Sequence, residues 1–291
     1  MTACLCSALL SSVAVQAEPY HLVAGSSALG FRENDKQNVS LGFKSAFNAL
    51  LSTENIQCDF KTYDTSDELG LAIAKGQVNA FFGSPLEFLK SEEYLVAGIV
   101  SGAVFSQKLK SKTYLIVRKD SGINNLLQLR NKKLSMQKYL VSDVGGLYIE
   151  TLMLEHQLPE TKRFFSEIKY TDTSNTAIID LFFKKVDATL MSEIQFDIAT
   201  ELNPQLLKQT KIIETSEPYL IFVAALTKGT PEVTASSIRA SLFSVDQTRK
   251  GRNVLNLMKM QGFREISTSE LDNVRALVEK NKQLRVQASD Q

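Results

Sequence analysis

The stretch Gly76-Gln-Val-Asn-Ala-Phe-Phe-Gly-Ser-Pro85 holds a short apolar run between a glycine and a Gly-Ser-Pro turn. Residues 66–75 before it carry apolar side chains at helical spacing, and a glycine such as Gly76 commonly ends a helix. Residues 78–82 then read as a strand, because a short apolar run bounded by turn signals is typical of a buried strand. The stretch therefore predicts one helix–strand unit of an α/β fold.

The same alternation extends through the chain in both directions. Strands are predicted over residues 20–24, 57–63, 78–82, 95–100, 113–118, 133–136, 167–170, 186–191, 211–214 and 219–226. Helices are predicted from Ser40 onward, over 66–75, 145–158, 176–185 and 194–202, and from 230 to about 287 with a break near Gly262. This order is typical of a largely parallel sheet flanked by helices. Ligands of such sheets bind outside the carboxyl ends of the strands, so site residues are expected in the loops that follow strands.

The composition excludes several classes of protein. The 291 residues include 33 Lys+Arg and 32 Asp+Glu, a net charge of +1, whereas a non-specific nucleic-acid binder needs a basic surplus. The 16 Phe and 8 Tyr argue against a disordered chain. With 2 His and 3 Cys and no Cys/His cluster, no metal site and no cofactor are expected. The length predicts about two domains.

The first 17 residues read as a signal peptide. They carry no charge, and their apolar run is shorter than the roughly 20 residues of a membrane-spanning helix. Val15-Gln-Ala17 before Glu18 fits a signal-peptidase site, so cleavage is expected after Ala17 and the mature chain is expected to be exported. A buried N-terminal helix is the alternative. Cys58 would remain as the single cysteine of the mature chain.

Four segments in order resemble one family. They are Gly76 to Pro85, Tyr114-Leu-Ile-Val-Arg-Lys-Asp-Ser-Gly-Ile123, Lys185-Val-Asp-Ala188, and Val245-Asp-Gln-Thr-Arg-Lys-Gly-Arg252 followed by Gly262-Phe263. Together they resemble the phosphate, phosphite and phosphonate-type periplasmic substrate-binding proteins of ABC transporters, over residues of about 20–265. The resemblance implies a type 2 periplasmic binding protein, with two α/β lobes, each a mixed and mostly parallel sheet flanked by helices. Lobe 1 would comprise residues 18–116 plus 215–291, and lobe 2 residues 117–214.

The resemblance places an anion cradle at the start of one helix, in Val141-Ser-Asp-Val-Gly-Gly146. Ser142 and Gly145 match the family loop, whereas Asp143 and Val144 replace two polar neutral positions. The NH groups of a helix N-terminus suit an anion, but a carboxylate there repels a dianion. Asp143 is therefore read either as a ligand residue or as a helix cap.

Five further residues are candidates for the ligand site, each with a structural alternative. Ser174 and Asn175 stand where the family often has Ser and His, or they belong to a plain helix cap. Ser84 follows a strand, or it shapes a turn. Tyr114 corresponds to a ring at the cleft wall, or it is a core aromatic. Glu193 could hold a cationic part of a ligand, or it is a solvated helix start. Tyr63, and Ser26 or Ser27, are weaker candidates at strand ends.

The sequence thus predicts an exported, periplasmic solute-binding protein rather than an enzyme. It would capture a small oxyanion or related polar solute between the lobes for the permease of an ABC importer, as a monomer that binds no nucleic acid. The alternative is a sensing module of the same fold that acts with a membrane receptor. An exported enzyme on this fold is a third reading, although no nucleophile elbow, P-loop or HExxH motif is present.

Overall fold

A computed structural model describes residues 18–27, 36–51, 54–138, 143–258 and 260–289, so the expected signal peptide and Ser142 lie outside the described residues. The strands are β1 (Tyr20–Ser27), β2 (Ile56–Tyr63), β3 (Ala80–Gly83), β4 (Leu95–Val104), β5 (Lys110–Ser111), β6 (Thr113–Arg118), β7 (Lys133–Gln137), β8 (Glu167–Thr171), β9 (Ala188–Ser192), β10 (Thr210–Thr215), β11 (Tyr219–Leu220), β12 (Val223–Thr227) and β13 (Gly262–Ile266). The helices are α1 (Lys36–Leu50), α2 (Ser66–Ala74), α3 (Pro85–Ser91), α4 (Val144–Glu155), α5 (Thr161–Phe164), α6 (Ser174–Phe182), α7 (Glu193–Leu202), α8 (Gln205–Gln209), α9 (Glu232–Phe243), α10 (Arg249–Met258) and α11 (Asp272–Ser289).

The strands form two main sheets, which confirms the two-lobed α/β class. The first has the order β13-β4-β12-β3-β1-β2 and the second the order β10-β6-β9-β7-β8. The parallel pairs are β1 with β2 and β3, and β7 with β8 and β9. The other pairs within the two sheets are antiparallel, so both sheets are mixed, as predicted, although parallel pairs do not predominate. The antiparallel strands β4, β6, β10 and β12 lie next to the crossings between lobes rather than inside helix-connected parallel units.

The chain crosses between the two sheets twice, through a separate pair of short strands. β5 and β11 pair with each other in antiparallel fashion and belong to neither main sheet. All of β6 lies in the second sheet, where Thr113 pairs with Ser192 and Tyr114 with Thr215. The predicted boundaries at 116/117 and 214/215 therefore cut through paired strands, and the crossings lie at about 105–112 and 216–222.

Three predicted elements differ in their limits because neighbours elsewhere in the fold override the local pattern. The single strand expected over 219–226 is two strands, since β11 pairs with β5 and β12 pairs with β3 and β4. The helix expected to begin at Ser40 already begins at Lys36, and the Ser40 hydroxyl lies 3.2 Å from that of Thr62. The helix break near Gly262 is the edge strand β13.

Alternation along the strands fills both faces of each sheet. In β3, Phe82 packs with Phe43, Phe47 and Phe60 on one face, and Phe81 packs with Phe88 on the other. Successive strand residues point to opposite faces, which explains why this stretch is apolar throughout rather than alternating. The second sheet repeats the arrangement, with Leu115 and Ile116 of β6 in different clusters.

The last helix, α11, contacts both lobes. Near its start, Arg275 forms an ion pair with Glu92, which directly follows α3. Further along, the buried Asn281 donates a 3.0 Å hydrogen bond from Nδ2 to Thr151 Oγ1 on α4. Lys280 and Arg285 form ion pairs with Glu155 and Glu150 of the same helix. α11 therefore joins α4 of the second lobe to the lobe from which it extends. None of the helices in the described residues is both long and apolar enough to cross a membrane.

Candidate functional site

Most of the candidate residues lie at the carboxyl ends of parallel strands in the two lobes, and the region between these strand ends is called the cleft below. In the first lobe, Ser27 pairs with Tyr63 at the ends of β1 and β2, and Ser84 directly follows β3. In the second lobe, Gln137 ends β7, and Ser174 and Glu193 begin the helices that follow β8 and β9. The two sides approach each other through a shared apolar cluster that contains Leu86 and Leu89 of α3 and Val144 and Leu147 of α4.

Ser84 is engaged in a helix cap on the first-lobe side of the cleft. Its hydroxyl accepts a 3.3 Å hydrogen bond from the Glu87 NH, and its own NH donates to Glu87 Oε2 at 2.9 Å. This capping box begins α3. Glu87 is 5% exposed and also accepts a 3.0 Å hydrogen bond from the Ser66 hydroxyl. Sequence reasoning missed Glu87, although a Glu three residues after a serine cap is a recognisable signal.

Gly83 sits where a side chain would not fit. A Cβ atom there would lie 2.7 Å from the Phe81 ring and 2.8 Å from Glu87 Oε2. The glycine therefore lets the end of β3 approach the α3 start closely. Tyr63, at the end of β2, is half-buried against the apolar cluster of Phe81 and Phe88, and burial raises the pKa of its hydroxyl.

The start of α4 carries the predicted anion cradle. Gly145 is buried in the first turn, and Asp143 occupies the N-cap position with φ −111° and ψ 178°. Asp143 thus stands at the cap position that one of its two interpretations predicts, but its side chain makes no capping hydrogen bond to the NH groups of the first turn. Its Oδ1 is buried without a hydrogen-bond partner among the described residues. Burial raises the pKa of Asp143 to about 6, against a hydrogen bond from the Val144 NH that lowers it and with a smaller increase from the Glu87 carboxylate.

Ser174 is buried at the first turn of α6 and touches two amide side chains. Its hydroxyl contacts the Oε1 atoms of Gln137 and Gln195, and Gln137 donates from Nε2 to the Asp172 carbonyl at 3.1 Å. Thr173, not Ser174, is the cap of α6, since its hydroxyl accepts from the Thr176 NH at 3.1 Å. Asn175 is exposed on the same turn. The two glutamines were missed because an isolated Gln carries no recognisable sequence signal.

Tyr114 and Glu193 lie together on the crossing side of the second lobe. Glu193 Oε1 is 3.1 Å from Lys108 Nζ, whose other partner is Asp197 at 2.9 Å, and Oε2 accepts from the Lys112 NH at 3.4 Å. Burial raises the pKa of Glu193, but the hydrogen bond from Lys108 outweighs it, and the net pKa is lowered. Burial and the Glu193 carboxylate both raise the pKa of Tyr114, whose ring packs edge-on against Phe196 at 6.0 Å. The charge of Glu193 is thus matched by a lysine of the chain itself.

Among the described residues, the polar groups at the cleft include hydroxyls, amides, helix N-terminal NH groups and the carboxyl groups of Glu87 and Asp143. The hydroxyl, amide and NH groups of this set can fix the orientation of a small ligand. Among the described residues no group of His, Cys, Asp and Glu is arranged to hold a metal ion. A small apolar cavity lies inside the first lobe, and an open groove lined by Gln107 and Gln261 lies beside the crossing, both away from the cleft.

Two α/β lobes, two crossings and polar side chains at facing strand ends define the class of two-lobed solute-binding proteins. A family model described as the periplasmic substrate-binding protein of phosphonate ABC transporters matches residues 33–271. The chain belongs to this family, whose members are the binding components of transporters rather than enzymes. A search of curated proteins found no match.

Solved structures share the fold at low sequence identity. XAC2383 from Xanthomonas citri is 14% identical, with a TM-score of 0.70 over 92% of this chain and 99% of that chain in its chloride-bound form. The structure of the same protein bound to ATP is 14% identical, with a TM-score of 0.69 over 91% of this chain and 98% of that chain. The binding protein component of an ABC phosphonate transporter from Pseudomonas aeruginosa is 11% identical, with a TM-score of 0.66 over 93% of this chain and 89% of that chain. PhnD1 from Prochlorococcus marinus, in complex with methylphosphonate, is 12% identical, with a TM-score of 0.63 over 90% of this chain and 98% of that chain.

Proposed function

We propose that this protein captures a small oxyanion of the phosphonate or phosphate type in its cleft and delivers it to the permease of an ABC importer. The observation that carries the proposal is the meeting of strand ends and helix N-termini from both lobes at one place. The starts of α4 and α6 follow the paired ends of β7 and β8, and α3 contacts α4 in a shared apolar cluster. Helix N-termini favour anions through their NH groups and dipoles. The family, and the methylphosphonate complex of PhnD1, give the ligand class.

We place the ligand against the second-lobe residues Ser142, Asp143, Gly145, Ser174 and Asn175, with Tyr63 and the α3 start around Ser84 as the opposite wall. Gln137 and Gln195 join this set, since both touch the Ser174 hydroxyl. Tyr114 and Glu193 have a different role in this proposal. Because Lys108 already neutralises Glu193, they stabilise the crossing, and the ligand needs no cationic group.

The lobes are proposed to comprise residues of about 18–112 plus 216–271, and about 113–215, with α11 lying across them. Ligand binding would close them by a hinge motion at the β5/β11 pair. Export with cleavage after Ala17, the permease partner and a monomeric state complete the proposal. A protein that samples the periplasm for a small solute needs no partner subunit to form its cleft.

Calorimetric titration of the chain from Glu18 onward with methylphosphonate, phosphite and phosphate tests the function. Binding of at least one of them is expected, and a ligand at 100 times its Kd should raise the unfolding free energy by about 2.7 kcal/mol. Ser174→Ala should weaken binding by about tenfold, because a hydrogen bond contributes roughly 1 kcal/mol and loss of a buried one costs more. Ser236→Ala, on the exposed surface of α9, is the matched control. Absence of binding to all three anions would contradict the proposal.

A further inference from the structure

We propose that the last helix, α11, acts as a strap across the two lobes and raises the affinity of the cleft without touching the ligand. This inference rests on the proposed function, because it concerns ligand binding between the lobes. The match to the family model ends at residue 271, and α11 (Asp272–Ser289) begins at the next residue. The strap therefore lies outside the part of the chain that the family model matches.

The start of α11 is anchored on the first lobe. Leu271, directly before the helix, is fully buried in the apolar cluster of Phe81 and Phe88. One turn further on, Arg275 forms an ion pair with Glu92, the residue that follows α3. These contacts hold the first turns of the strap to the lobe from which α11 extends.

The second half of α11 is anchored on α4, the helix that begins at the proposed anion cradle. Asn281 is 5% exposed and donates a 3.0 Å hydrogen bond from Nδ2 to the Thr151 hydroxyl, which in turn donates to the Leu147 carbonyl at 2.7 Å. Lys280 and Arg285 also pair with glutamates of α4, but both lysine and arginine lie at the surface, where ion pairs contribute little. The buried amide is the main link, because loss of one partner leaves the other without its hydrogen bond.

Between its two anchors, α11 covers the junction of the lobes. Val274 and Leu277 belong to one apolar cluster with Val144, the first residue of α4, and with Tyr219 of the crossing strand β11. Leu89 of α3 packs against the same cluster. The strap thus shares this cluster with a helix of each lobe and with the crossing about which the lobes are proposed to rotate.

A continuous helix with an anchor on each lobe opposes rotation of the lobes. The 18 residues of α11 span about 27 Å, at 1.5 Å per residue. Opening about the β5/β11 pair would move α4 relative to α3, so α11 would have to release one of its two anchors. The strap therefore favours the arrangement described here, in which Val144 and Gly145 at the start of α4 are buried. The apparent Kd of a ligand rises as the binding-competent fraction of the protein falls, so a weaker strap lowers the affinity.

Asn281→Ala tests the strap away from the cleft. The titrant is whichever of methylphosphonate, phosphite and phosphate binds wild type most tightly, and the Kd of the variant should be at least about fivefold higher. Asn281→Leu combined with Thr151→Val replaces the hydrogen bond by an apolar contact of similar size, so this double variant should restore the affinity to within about twofold. Asn48→Ala is the matched control and should bind as wild type. Asn48 joins α1 to the Cys58 backbone of β2 within the first lobe, by hydrogen bonds of 2.5 and 2.8 Å.

The distance between the lobes in the ligand-free protein gives a second measurement. Spin labels at Ser236→Cys in the first lobe and Lys162→Cys in the second, both exposed positions, report this distance. Cys58 is buried and does not compete for the label. Asn281→Ala should shift the ligand-free distances away from the ligand-bound ones, and saturating ligand should abolish the shift.

Three outcomes would overturn the strap while leaving anion binding in place. Asn281→Ala could melt cooperatively and keep the wild-type affinity, or it could keep the wild-type distances between the lobes. Asn48→Ala could lose as much affinity as Asn281→Ala, in which case affinity would follow overall stability rather than the strap. Failure of wild type to bind any of the three anions would overturn the proposed function itself, and this inference with it.

Discussion

Replacement of Asp143 by asparagine should stabilise the ligand-free protein at neutral pH and leave it unchanged in acid. Burial, with a smaller contribution from Glu87, raises the pKa of Asp143 from 3.8 to about 6. The folded protein therefore binds more protons than the unfolded chain between these values, and its stability falls as the pH rises from about 4 to about 6. Asparagine does not titrate, so the variant escapes this loss.

The size of the effect follows from the shift. A displacement of about two pKa units corresponds to about 3 kcal/mol, at 1.36 kcal/mol per unit. For a chain of this length that free energy corresponds to an increase in Tm of about 6 °C. The increase in the unfolding free energy of Asp143→Asn over wild type should be complete above pH 7, half complete near pH 5 and absent at pH 4.

Urea unfolding between pH 4 and pH 8 measures this dependence, and Asp180→Asn supplies a control of opposite sign. The Asp180 side chain is 3% exposed, 2.6 Å from Lys169 Nζ and 3.4 Å from Lys185 Nζ. Burial would raise its pKa, but the two lysines outweigh burial and lower it. The free energy of unfolding of Asp180→Asn should therefore be about 1–3 kcal/mol below that of wild type at pH 7, and the difference should shrink as the pH falls below 4. Identical unfolding midpoints for wild type and Asp143→Asn at pH 8 would refute the reasoning.

Three further predictions concern packing and the thiol. Gly83→Ala should lower the free energy of unfolding by about 1–3 kcal/mol, because its Cβ would lie 2.7 Å from the Phe81 ring. Gly229→Ala is the control, since a Cβ at Gly229 meets nothing within 4 Å. Unchanged melting of Gly83→Ala would contradict the close approach at the end of β3. Asn281→Ala should lower the free energy of unfolding by about 1–3 kcal/mol, because Asn281 donates to Thr151. Two double-mutant cycles test this bond, one with Thr151→Val and one with Thr151→Ser, which keeps the hydroxyl. Coupling to Asn281→Ala is expected only for Thr151→Val. Additive losses would mean that α11 is not held to α4 by this bond. Cys58 is buried and burial raises its pKa to about 12, so a thiol reagent should label the chain from Glu18 onward only after unfolding; rapid labelling in native buffer would contradict its burial.

The order of the helices and strands can be predicted from local sequence patterns. Hydrophobic periodicity depends only on neighbouring residues, so the helix and strand order could be predicted, and β6 was predicted with its observed limits. The same local signals carried the family resemblance, which the family model confirms over residues 33–271. The prediction failed where a distant partner decides, as in the split of residues 219–226 into β11 and β12, because strand pairing is a long-range interaction.

The candidate site shows the same division. The sequence by itself determined which polar residues follow strands, and it placed Ser174, Asp143 and Glu193 at helix starts. Only the tertiary structure decided their partners. Lys108 neutralises Glu193 from 85 positions earlier in the chain, and Gln137 reaches Ser174 from a neighbouring strand. The raised pKa of Asp143 depends on its burial and on Glu87, which lies 56 positions earlier in the chain, because solvation and pKa depend on which surfaces exclude water.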